Sequence, residues 1–185
     1  MKTSLRSLAV IGALTSAVML VLPWPVAAAT AEELTRDSQA ALNQLYAKNA
    51  GAKAIGKSAV AILVFPGIIK AGLGVGGQYG EGVLFKGGKA TGYYNTAGAS
   101  MGLNIGAQKY GYALFFLSDE TLKYLDQSQG FEVGVGPSVV VADEGLAKST
   151  TTTTVQDKIY AFIFDQKGAM ASLGIQGNKI TKIKK

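Results

Sequence analysis

Residues Pro66 to Gly92 read PGIIKAGLGVGGQYGEGVLFKGGKATG, and ten of these 27 residues are glycine. The residues between the glycines are mainly Leu, Val, Ile, Tyr and Phe. That filling is too apolar and β-branched for a flexible linker, and the glycine content is too high for a helix. The stretch therefore reads as strand, with glycines where the chain bends sharply or another backbone comes close. Gly72, Gly74, Gly76, Gly77, Gly80 and Gly82 are the expected bending positions, and Gly87-Gly88 reads as a hairpin turn. Gly67-Ile68-Ile69-Lys70 reads as a turn ahead of the strands, its two isoleucines either tucked inward or forming a tip that dips into a membrane.

Outward from this stretch, short strands dominate. Ala59–Phe65 (AVAILVF) is an apolar run that Pro66 ends. Ser100–Gln108 alternates Met101, Leu103, Ile105 and Ala107 with Gly102, Asn104, Gly106 and Gln108, which predicts a half-buried strand. Tyr110–Leu117, Phe131–Val141, Lys158–Asp165, Ala169–Gln176 and Lys179–Lys184 follow as strands, with Pro137 marking an edge or bulge. Asp165-Gln166-Lys167-Gly168 and Gly177-Asn178 read as turns. Ser149 and the five threonines after it read as a solvent-facing polar strand.

Two segments are helical. Over Ala31–Asn49, Leu34, Ala41, Leu42, Leu45 and Tyr46 share a face, and Thr30 with Glu33 makes a capping box. Ser118–Gln127 is a short helix capped by Ser118, with Asp119 and Glu120 at the positive end of its dipole. Ala50–Ser58 is a small-residue connector or short helix that places Lys53 and Lys57 four apart. The connections are too short for parallel crossovers. The expected fold is α+β, about ten short and mostly antiparallel strands in a strongly bent sheet or barrel-like core, with an N-terminal helix and one short inserted helix.

The N-terminus reads as an export signal. Lys2 and Arg6 precede the apolar run Leu8–Leu22, then Pro23, Pro25 and small residues, with cleavage expected after Ala28, Ala29 or Ala31. Residues 1–29 are thus signal peptide and 30–185 one domain. The rival reading is a retained anchor, since Leu8–Ala29 is long enough to span a bilayer. Losing Lys2 and Arg6 takes the formal net charge from +6 to +4. That balance suits an anionic lipid surface in the periplasm or envelope, and no basic stripe interleaved with aromatics points to nucleic acid.

The chain has no Cys and no His. Thiol nucleophiles, imidazole bases and most zinc or iron sites are therefore excluded, and no catalytic, cofactor-binding or metal-binding residues are expected. Gly72-Leu73-Gly74-Val75-Gly76-Gly77 matches a dinucleotide fingerprint only as a string: more strand follows it instead of a helix, and Tyr94–Gly98 carries no acid for a ribose. Glu81, set among glycines, is either a hairpin-turn residue or an acid of a lipid- or wall-directed hydrolase. An outer-membrane barrel is disfavoured by AVAILVF, YALFFL and IYAFIF, which read as strands covered on both sides.

Three blocks, in order, resemble the SYLF domain family. Lys70–Phe85 is similar to its glycine-rich stretch leading into an apolar strand. Ser100–Gln108 is similar to its small-Gly-Leu-x-Ile-Gly-Ala-Gln strand. Lys167–Gly177 (KGAMASLGIQG) is similar to its Lys-Gly turn and following strand, which makes Gly168 a structural glycine. The resemblance spans Ala54–Ile183, and departs from the family at Tyr93-Tyr94-Asn95, where a Trp-Ser pair is usual, and at Ser172, where a second glycine is common. The family is known as a lipid-binding module, its yeast members as actin-binding. For an exported chain the resemblance implies lipid or envelope association without cytosolic phosphoinositides or actin. The expected contact residues are Lys53, Lys57 and Lys70 on anionic headgroups, with Ile68 and Ile69 supplying apolar contact. The alternative is a structural or partner-binding envelope protein that touches no lipid.

Overall fold

The computed structural model describes residues 29–126, 131–132, 139–141 and 159–185. Helix α1 (Ala31–Lys48) leads into α2 (Ala50–Gly56), then strands β1 (Ala61–Lys86) and β2 (Lys89–Phe116). A short α3 (Asp119–Lys123) runs into a single 3-10 turn at Tyr124–Asp126, followed by β3 (Phe131–Glu132), β4 (Val139–Val141) and β5 (Ile159–Ile183). The sheet order is β1-β2-β5-β3, with β4 also on β5. The expected signal segment, Pro137, and the polar strand Ser149–Thr154 lie outside the described residues.

Both expected caps form. Thr30 and Glu33 exchange hydrogen bonds at the start of α1, which holds the Glu33 carboxyl below its usual pKa. Ser118 accepts from the Thr121 backbone at the start of α3. Gly87 and Gly88 both have positive φ, as a tight two-residue hairpin turn requires.

The many short strands of the sequence reading are instead three long ones, of 26, 28 and 25 residues. Glycine weakens a strand without interrupting its hydrogen-bond ladder, so the expected breaks at Gly67–Lys70, Gly80–Gly82, Asp165–Gly168 and Gly177-Asn178 are all paired strand or bulge. Pro66 does not end β1. It sits at a register shift on a strand that pairs, among the described residues, with β2 alone, where a missing N–H can be tolerated. The sheet is mostly antiparallel, as expected, and only β4 runs parallel to β5 among the described strands.

Fully extended, β1 would span about 80 Å. Yet residues from its two halves, Val64 and Val83, share one hydrophobic cluster, and Leu63 and Leu84 share the other. The same holds for Leu114 and Tyr94 of β2, and for Ile159 and Ile180 of β5. All three strands therefore fold back together. The bend passes through Gly74, Gly106 and Gly168, which have φ of 77°, 120° and 90°. Gly106 lies opposite Gly72, and Gly168 opposite Gln108, so these left-handed residues cluster across the sheet.

Folding back brings β1 against itself. A Cβ built on Gly82 would lie 2.5 Å from the Val64 carbonyl oxygen, and one on Gly80 would lie 3.0 Å from that of Gly67. No ladder joins these halves, so the sheet is sharply bent but not closed into a barrel. Helix α1 lies over the seam. Leu34, Leu42 and Leu45 pack on Val64, Val83 and Phe85, each contributing about 1.5–3 kcal/mol by burial. Ser38 donates to the Val64 carbonyl on this free edge at 3.4 Å.

On the other sheet face, Asp126 ties the 3-10 turn to the strands. It accepts from Tyr94 Oη at 2.8 Å and Lys182 Nζ at 3.0 Å. Desolvation works against its charge, but the Lys182 and Tyr94 bonds win and hold the carboxyl below its usual pKa. Burial, then the bond to Asp126, pushes the Tyr94 phenol upward, so it stays a neutral donor. A carboxyl with a depressed folded pKa stabilises above its unfolded value and loses that contribution as pH falls through the folded one. Asp126→Asn should therefore cost about 1 kcal/mol near neutrality and flatten the acid limb of stability between about pH 5 and pH 2. Urea midpoints across that range check this; an acid limb as steep as in the wild type would refute it.

Candidate functional site

The bend presents an apolar outer surface. Ile69, Leu73, Val75 and Ile105 are 60%, 83%, 65% and 58% exposed, and Tyr79 is half exposed. Leu73 lies directly across from Ile105, and Ile69 across from Lys109. Directly opposed residues share a sheet face, so these four stand on one surface. Lys109 is in turn opposite Lys167, and both lysines are exposed. Four residues, about 13 Å of strand, separate Leu73 and Ile105 from this lysine row. The arrangement is an apolar crest with a basic band behind it.

A groove adjoins the crest where α1 and the doubled-back β1 diverge. It has a volume of about 880 Å³ and is lined by Leu34, Ala40 and Ala41 of α1, by Pro66 and Ile69, and by Lys109. Asp37 and Glu81 also reach it. Glu81 is not in a hairpin turn: it lies within β1 and is largely buried, accepting from Lys185 Nζ at 2.6 Å and Tyr79 Oη at 3.0 Å. Lys185 also donates to the Ala29 carbonyl at 2.8 Å. A carboxylate engaged in this way serves as a clamp between chain segments.

The lipid-contact residues expected from sequence are not brought together. A strand's period of two splits the triplet Ile68-Ile69-Lys70. Only Ile69 faces outward, while Ile68 is 1% and Lys70 8% exposed on the opposite face. For those two, surface contact with a membrane is corrected to an interior position. Lys53 is exposed on α2 and Lys57 is exposed as its C-cap. Of the glycines, Gly72 and Gly74 lie at the bend, Gly76 is buried, and Gly80 and Gly82 lie at the seam. Gly77 has only the Gly98 carbonyl within reach of a built Cβ, at 3.8 Å, and Gly168 is pressed on the Ala107 carbonyl.

Sequence reasoning missed Leu73, Val75, Ile105, Lys109 and Lys167 as surface contacts. It placed the apolar side of Ser100–Gln108 inward, whereas Ile105 and Ala107 face outward. The reason lies in the bend: the concave side is already occupied by Ile68, Lys70 and the Tyr110–Gln78 hydrogen bond of 3.0 Å, with Gly76 and Gly80 between them. Gly72 and Gly74, alternating with Ala71, Leu73 and Val75, were the available signal.

Residues 97–185 match the family model described as Ysc84, Las17-binding protein actin regulator. Over those residues, a little under half of the chain, the match agrees with the SYLF resemblance. No curated protein matches the chain. The SYLF match covers β2 from Ala97 through the end of β5, and so contains Ile105, Lys109 and Lys167 together with the second and third resembling blocks. The glycine-rich β1 that supplies Leu73 and Val75 pairs with the matched region along the whole crest.

Proposed function

We propose that this protein is exported, acts without catalysis in the bacterial cell envelope, and adsorbs to anionic lipid surfaces through the crest at its β-bend. The observation that supports this most is the grouping of Leu73, Val75 and Ile105, exposed on paired strands, with Lys109 and Lys167 side by side behind them. Large apolar side chains held in water on a rigid element mark an interaction surface. Entering the interfacial region would contribute about 1.5–3 kcal/mol per fully buried side chain, and each lysine near an anionic surface about 1 kcal/mol. Export is supported by the basic, apolar and small-residue order of Lys2–Ala31. The absence of Cys and His supports a binding role over a catalytic one.

The test is sedimentation with mixed phosphatidylglycerol and phosphatidylcholine vesicles. Binding should fall as salt rises, and Lys109→Glu with Lys167→Glu should weaken it by about 30-fold, as expected for losing two such contacts. Adsorption indifferent to both salt and the double reversal would reject the electrostatic part. The description of the family as Las17-binding favours a second reading, a protein partner on the same crest. A single stoichiometric protein captured from envelope extract, combined with no vesicle binding, would select it.

A further inference from the structure

We infer that the groove between α1 and the doubled-back β1 takes the alkyl chain of one anionic amphiphile, with Lys109 at the mouth holding its acidic head. The groove's volume of about 880 Å³ falls within the range of small-molecule sites, about 300–1,000 Å³. It exists because small residues meet over an unclosed seam. Ala40 and Ala41 on the helix leave space that larger side chains would fill, and Gly67 and Gly80 line the strand side. Leu34, Pro66 and Ile69 make the remaining wall apolar.

The charges around the groove select the head group. Asp37 is paired with Arg36 at 3.1 Å, and Glu81 with Lys185 at 2.6 Å. Lys109 forms no ion pair among the described residues, and its stem passes over Gly67, where a built Cβ would lie 2.5 Å from Lys109 Cε and 3.2 Å from Nζ. The mouth therefore offers an unneutralised cation, which suits a carboxylate or phosphate and repels an ammonium. Ile69 belongs to both the groove wall and the exposed crest. A chain leaving a bilayer at the crest thus reaches the groove along continuous apolar surface. The source of the ligand rests on the membrane reading; the groove and its charge do not.

Palmitate, used below its aggregation threshold, is the probe, with binding measured by equilibrium dialysis. One palmitate per chain is expected. Ala40→Phe and, separately, Gln44→Trp project bulk into the groove from exposed helix positions and should each weaken binding at least tenfold, with the urea midpoint unchanged. Lys109→Glu should weaken palmitate several-fold and favour hexadecylammonium. Failure to bind palmitate, or binding unaffected by both filling variants, overturns the inference; if vesicle adsorption persists in that case, the membrane reading survives alone. Palmitate binding that responds as expected in a protein that ignores vesicles leaves the groove standing and removes the membrane reading.

Discussion

Replacing Leu73 and Val75 together by aspartate should abolish vesicle adsorption, lowering the partition coefficient more than 100-fold, without unfolding the protein. Both side chains are already in water in the folded state, at 83% and 65% exposure, so stability should move by no more than about 0.5 kcal/mol. On a membrane the change is far larger. Each substitution removes an apolar contact of about 1.5–3 kcal/mol and places a carboxylate against anionic headgroups. Even half of that apolar contribution, summed over two sites, reaches the scale of two decades in affinity. Vesicle sedimentation beside a urea titration reads both quantities. Adsorption retained by a folded double variant would show that the crest is not the contact surface, and attention would move to Lys53 and Lys57 on α2.

The second large effect concerns the bend itself. Gly168→Ala should destabilise the fold by about 3 kcal/mol. Its φ of 90° is strained for any residue with a side chain, and its Cβ would lie 2.5 Å from the Ala107 carbonyl oxygen, a backbone atom that cannot rotate away. Gly82→Ala should behave similarly through a different contact, with its Cβ 2.5 Å from the Val64 carbonyl oxygen and 2.6 Å from the Phe65 ring. Gly77→Ala is the control, since its nearest neighbour is an oxygen at 3.8 Å and the change should stay within about 0.5 kcal/mol. Urea midpoints at constant slope give the comparison. A Gly168→Ala protein as stable as Gly77→Ala would mean that the strands do not turn where the left-handed glycines are.

Local chemistry was legible before any coordinates. Thr30 and Glu33, Ser118, and the Gly87-Gly88 turn are short-range devices whose partners lie within three residues, so their geometry follows from neighbours in the chain. The helical face of Leu34, Leu42 and Leu45 was legible for the same reason. The antiparallel majority followed from connections too short for parallel crossovers, and the family resemblance rested on the blocks Lys70–Phe85, Ser100–Gln108 and Lys167–Gly177.

What the sequence determined alone is that Pro66–Gly92 and its neighbours form glycine-rich strand, and that neither thiol nor imidazole chemistry is present. The tertiary structure decided which face of that strand meets water. Alternation tells that Ile68 and Ile69 point to opposite sides, but not which side is concave. That depended on all three strands bending together at Gly74, Gly106 and Gly168, far apart in sequence and adjacent only across the sheet. The bend encloses Ile68 and Lys70, turns Leu73 and Ile105 outward, and sets Lys109 beside Lys167. A long-range register joins residues 58 positions apart in the last pair, and no local pattern carries that information.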